Sequence, residues 1–95
     1  MTFGEARALV GEWLQASSER SGIKLALGEA ATRVEEWGWV FFYNSVAYLE
    51  TRSSSDALAG NGPLVVERVS GALHELTTAR PIDEQLTELR DAIGT

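Results

Sequence analysis

Few residues of this chain belong to types that perform chemistry. The single histidine, His74, is a candidate general base. It would need a nucleophile or an acidic partner, and Glu50 or Asn61 would have to reach it through the fold, because none stands beside it in a recognisable motif. Glu35 and Glu36 are adjacent carboxylates. In a strand, neighbours point to opposite sides, so they make a poor acid–base dyad and fit a solvated turn better. Gly60-Asn61-Gly62 is rich in glycine but lacks the lysine and following helix of a phosphate loop. Asn61 is either a recognition residue or the maker of its own turn. Neither a nucleophile elbow nor a His-Glu zinc pair occurs. The tryptophans Trp13, Trp37 and Trp39 suit a hydrophobic core or a protein contact.

The bulk properties narrow the function further. Ninety-five residues are enough for one domain, 1–95, with a modest core. With no cysteine and one histidine, thiolate and multi-histidine metal sites are excluded within one chain, and no cofactor is expected. Acidic residues outnumber basic ones 14 to 8, which argues against a nucleic acid partner and suits a soluble protein or one steered towards a basic partner. There is neither an apolar run of spanning length nor a basic signal-peptide start, so a cytoplasmic location away from membranes is expected.

The stretch that must position the rest is Trp37-Gly38-Trp39-Val40-Phe41-Phe42-Tyr43-Asn44. Its aromatic and β-branched residues predict a central strand, with Trp37, Trp39, Phe41 and Tyr43 on one face. A helix is predicted from Thr2 to about Arg20, with a Thr2–Glu5 capping box and an apolar stripe through Phe3, Ala6, Val10, Trp13, Leu14 and Ser17. Gly11 in that helix either admits a close neighbouring strand or has no special role. Ile23 to Leu27, continued irregularly through Ala30 to Glu36, predicts a strand paired with the Trp37 strand through a turn near Glu35 to Gly38. Ser45 to Thr51 reads as strand continuation or loop. Asp56 to Gly60 fits a single helical turn, and Asn61-Gly62-Pro63 a turn. Leu64–Arg68 and Ala72–Leu76 predict a hairpin with Gly71 in a left-handed conformation. After Pro81, Ile82, Leu86, Leu89 and Ile93 predict a second amphipathic helix ending at Gly94. The expected fold is α+β: a four-stranded antiparallel sheet with an N-terminal and a C-terminal helix packed on it.

Several segments in this order resemble one family. They are Gly38-Trp39-Val40-Phe41, Leu49-Glu50-Thr51, Leu58 to Val66 with its Gly60-Asn61-Gly62-Pro63, Ser70-Gly71-Ala72-Leu73-His74, and Thr78 to Glu84 with its Thr78-Ala79-Arg80-Pro81. Together they are similar to the YrhB-type immunity proteins of bacterial polymorphic toxin systems, from about Leu25 to Leu89. The resemblance implies a small cytoplasmic α+β protein without catalytic activity that neutralises a toxin, often of papain-like protease or deamidase type. One branch of the family implies chaperone-like behaviour instead. Two positions depart from the family pattern, with Arg52 and Thr77 standing where glycine is common.

A toxin-binding protein is therefore the leading expectation, a chaperone or general interaction domain the second, and a small enzyme using His74 the third. Contact with the partner is assigned to Glu88 and Asp91 on the solvent side of the second helix, to Glu35 and Glu36, to Asn61 and to Trp39. Within Ile82 to Ile93, the acids Asp83, Glu84, Glu88 and Asp91 face only one basic residue, Arg90.

Overall fold

Alternating apolar residues on both sides of a strand require cover on both sides, and two helices supply it. In the computed structural model, which describes residues 1–58 and 61–93, the elements run α1 (Phe3–Ser21), β1 (Leu25–Leu27), β2 (Arg33–Glu35), β3 (Gly38–Phe41), β4 (Tyr43–Ser45), α2 (Val46–Thr51), β5 (Leu64–Glu67), β6 (Leu73–Glu75) and α3 (Ile82–Ile93). The fold is α+β, as expected. Strands β2-β3-β5-β6 form a four-stranded antiparallel sheet in that spatial order, and β1 and β4 form a separate two-stranded ribbon.

Strand alternation divides the core in two. Trp39, Phe41, Leu64 and Val66 point to one face and pack with Ala6, Val10 and Leu14 of α1. Val40 and Val65 point to the other face and meet Leu86 of α3, with Ile82 and Leu89 beside it. All four residues of β3 are buried.

Local signals behave as the sequence indicates. Thr2 Oγ1 accepts the Glu5 N–H at 3.2 Å, and Glu5 Oε1 accepts the Thr2 N–H at 2.8 Å, completing the capping box. Those bonds from Thr2 hold the Glu5 carboxyl below the ordinary range. Gly22, at φ 74°, ends α1. Gly71, at φ 75°, closes the β5–β6 hairpin, and its N–H donates to the Glu67 carbonyl.

Other expectations are corrected. Trp37 is not a strand residue: Glu36 and Trp37 form the two-residue turn between β2 and β3, where Glu35 opposes Gly38. A turn is free of strand alternation, so Trp37 packs with Val40 and Phe42 on the α3 side instead of joining Trp39. The hairpin expected between Ile23–Glu36 and the Trp37 stretch forms, but in two pieces: β2 pairs with β3 around the Glu36–Trp37 turn, and β1 pairs with β4 through Leu25↔Ser45 and Leu27↔Tyr43. A 3-10 turn over Glu29–Ala31 separates it from β2. The segment after Ser45 is a short helix: Ser45 Oγ accepts the Tyr48 N–H at 3.0 Å and caps α2. Arg52 closes α2 at φ 58°, so an arginine holds a left-handed position that glycine adopts more readily. The turn expected over Asp56 to Gly60 is a 3-10 turn at Ser54–Asp56 with no side-chain cap. Ala59, Gly60 and the helix end expected at Gly94 lie outside the described residues.

Candidate functional site

His74 lies across the β5–β6 hairpin from Val65, and its Nε2 is 2.5 Å from Oε2 of Glu67. The histidine is bonded to Glu67, not to Glu50 or Asn61. Glu50 sits on α2, and the Asn61 amide is used elsewhere, donating to the Tyr43 carbonyl at 2.9 Å. Gly62 beside it is buried, and a Cβ there would fall 2.0 Å from the Leu76 carbonyl oxygen. Asn61 thus ties the start of β5 to β4 while the adjoining backbone presses against the end of β6. Among the described residues, no group of three or more His, Asp or Glu side chains is placed to hold a metal ion.

The acidic helix is answered from outside itself. Glu84 and Glu88 both bond Arg80, which precedes α3, and their carboxylates hold its guanidinium above the ordinary range. Asp83 reaches Arg33 of β2 at 3.0 Å, and Arg33 also bonds Glu35 at 3.2 Å. Asp91 lies 3.5 Å from Arg90. Counting charge along the helix alone missed Arg80 and Arg33, which the fold brings to the same surface.

Trp39 is 2% exposed and belongs to the core rather than to an open contact surface. What surrounds it is more exposed. Arg68 lays its guanidinium 4.3 Å from the Trp39 ring centre and donates to the carbonyls of Glu35 (2.7 Å) and Glu36 (3.0 Å). One cation thus stacks on the indole and holds the β2–β3 turn, a pairing that suits the flat fork of arginine. Phe3 meets Trp39 edge-on at 6.2 Å and stacks on Phe41 at 5.8 Å, yet stays 43% exposed. Val34 opposes Trp39 in the β2–β3 pair, and Met1 lies against Gly71 in the hairpin that follows Arg68. Among the described residues, Met1, Phe3, Val34 and Val69 are four of the five exposed large hydrophobic side chains, and all four lie near the Trp39–Arg68 stack or in the adjoining hairpin. These side chains give a small acidic protein an exposed apolar cluster beside the stack. Sequence inspection named Trp39, Glu35 and Glu36 but missed Arg68, because nothing local distinguishes a cation that acts through a residue of the neighbouring strand, distant in the chain.

A second feature lies along α1. A groove of about 710 Å³ separates α1 from β1, with Arg7, Gly11 and Gln15 on one wall and Lys24 to Leu27 on the other. The Arg7–Glu29 ion pair crosses one end. At the other, Ser18 Oγ accepts the Leu25 N–H at 3.0 Å.

Comparison with known proteins adds the family. A family model described as immunity protein 35 matches residues 4–88. The uncharacterized protein YrhB of Escherichia coli strain K12 is 39% identical over 51 residues, which are 54% of this chain and 54% of that protein. The match therefore spans about half the length of that curated relative. No solved structure matches.

Proposed function

The chain belongs to the immunity protein 35 family, and from that membership we propose that it neutralises a cognate bacterial toxin by binding it, without catalysis of its own. The cognate toxin is of the papain-like protease or deamidase type that the resemblance implies. The observation that carries the choice of surface is the apolar cluster of Met1, Phe3, Val34 and Val69 beside the Arg68–Trp39 stack. Aromatic and arginine anchors in a patch of exposed apolar side chains supply most of the energy in protein contacts. The exposed Glu36 at the edge of the patch, together with the net negative charge, suits a basic toxin surface. His74 serves the hairpin through Glu67 in this reading and takes no part in binding.

The test is co-expression with any toxin domain found in the neighbouring reading frames, followed by calorimetric titration of the purified pair with the toxin's catalytic residue replaced. The parent chain and His74→Ala are expected to rescue growth and to bind one to one. Val34→Asp with Val69→Asp, both at exposed positions, is expected to fold normally and to weaken binding at least roughly tenfold. Failure of the parent chain to rescue or bind would overturn the proposal. The same apolar cluster also suits a chaperone-like protein. Weak binding to many unfolded chains, with no preference for the neighbouring toxin, would establish that second reading instead.

A further inference from the structure

Asn61 is followed by Gly62, and this pair carries a chemistry that needs no partner protein. The main-chain nitrogen of the residue after an asparagine can attack the carbon of the side-chain amide. Glycine in that place leaves the nitrogen unscreened by a side chain and the backbone free to turn. A new N–C bond closes a succinimide ring. The main-chain amide proton passes through solvent to the side-chain nitrogen, which departs as ammonia. Water then opens the ring at either carbonyl. The product is aspartate or, where the main chain is rerouted through the side-chain carbons, isoaspartate.

The fold holds both reacting atoms. The leaving atom, Nδ2 of Asn61, donates to the Tyr43 carbonyl at 2.9 Å. The attacking atom, the Gly62 nitrogen, makes no hydrogen bond among the described residues, so no donor role restrains it. Packing restrains it instead. Gly62 is buried, and it lies so close to the Leu76 carbonyl that a Cβ would fall 2.0 Å from the oxygen. The next residue, Pro63, accepts the Leu76 N–H at 3.0 Å. Ring closure takes Nδ2 away from Tyr43 and reorients the Asn61–Gly62 peptide beside Leu76, so both restraints must release first. The products do not fit the native seat either. Aspartate has no N–H for Tyr43 and sets a carboxylate against that carbonyl oxygen. Isoaspartate lengthens the main chain next to Gly62, where even a Cβ has no room.

We propose that Asn61-Gly62 is a self-modifying site kept in check by the fold. Asn61 stays an asparagine while Tyr43 and Leu76 are closed on it, and it deamidates when the segment between β3 and β5 opens. The modified chain then closes less firmly than before. Loss of ammonia makes the step irreversible, so the residue records openings that have already ended. The site goes beyond the toxin-binding reading and does not depend on it.

Timed incubation of the full chain at mildly alkaline pH, folded in buffer and unfolded in concentrated urea, tests it. Tryptic digestion and mass spectrometry read the result, since deamidation raises the mass of the peptide that carries it. Cleavage after Arg33, Arg52 and Arg68 puts the chain's two asparagines in separate peptides, Asn44 in 34–52 and Asn61 in 53–68. In the unfolded chain Asn61 is expected to convert at least roughly tenfold faster than Asn44, which is followed by Ser45. In the folded chain Asn61 is expected to convert at least roughly tenfold more slowly than in the unfolded one. Asn61→Asp makes one product directly, and its unfolding constant in urea titration should rise roughly tenfold. Equal rates at Asn61 in the folded and unfolded chains overturn control by the fold. Conversion of unfolded Asn61 no faster than that of Asn44 overturns the site itself. An Asn61→Asp chain as stable as the parent overturns the weakened closure, and one too unstable to fold supports it.

Discussion

At Trp39 and Phe41 the chain buries its largest side chains against α1, at 2% and 0% exposure. Replacing either by alanine leaves a cavity between a sheet and a helix that cannot close, and is expected to cost about 3–5 kcal/mol in chemical denaturation. A loss below about 1 kcal/mol for both would mean that β3 is not the centre of the core. Tyr43 provides a pH-dependent probe of the neighbouring ribbon. Burial, and secondarily the charge of Glu75, raise its phenol above the ordinary value. The folded state therefore holds the phenolic proton more tightly than the unfolded state. Its contribution is fully present below the ordinary tyrosine range near 10 and is lost as pH rises through the raised value. Ultraviolet titration should show Tyr43 ionising late, and Tyr43→Phe should flatten the alkaline fall in stability. An unchanged alkaline profile in Tyr43→Phe would contradict the burial of that hydroxyl.

Helix α3 carries acids towards solvent while its apolar side meets Val40 and Val65. Arg80 and Arg33 offset much of that charge, so removing one carboxylate also releases a cation. Glu88→Gln with Asp91→Asn is accordingly expected to slow association with the toxin at low ionic strength by roughly threefold, with the difference vanishing at high salt. Stopped-flow mixing across a salt series reads both. An association rate indifferent to salt and to the two substitutions would remove electrostatic steering. The elements themselves were unequally legible. α1 carried its own punctuation in Thr2, Glu5 and Gly22, and the β5–β6 hairpin carried Gly71, so each could be recognised from neighbouring residues. α2 could not, since Val46 to Thr51 is short and begins with residues that also suit strands; its one signal was the cap, Ser45. The split of the hairpin between Ile23–Glu36 and the Trp37 stretch into two sheets was hidden for another reason: alternation shows that a segment is a strand but not which stretches across the chain it joins into one sheet. The candidate site suffers most from that limit. Asn61 met Tyr43, Asp83 met Arg33 and Arg68 met Trp39 only through long-range contact.

In the whole molecule, the two hairpins β2–β3 and β5–β6 are joined edge to edge by β3 and β5, and each helix covers one face of the result. None of the helices among the described residues is long and apolar enough to cross a membrane. The chain leaves the sheet at Phe41 and returns at Leu64, and these two residues are direct partners in the β3–β5 register. The intervening segment, 42–63, is thus a detour whose two ends are held one strand spacing apart whatever its length. Closing a longer loop adds only about 0.6 kcal/mol for each doubling. Four glycine and serine residues inserted after the exposed Arg52 should therefore cost less than about 1 kcal/mol in denaturation. A loss beyond about 3 kcal/mol would show that the detour and the sheet unfold as one unit. If the cost is small, evolution has a place to lengthen, shorten or re-cut the chain, gated by a single phenylalanine–leucine pair, while the strands on either side keep their register.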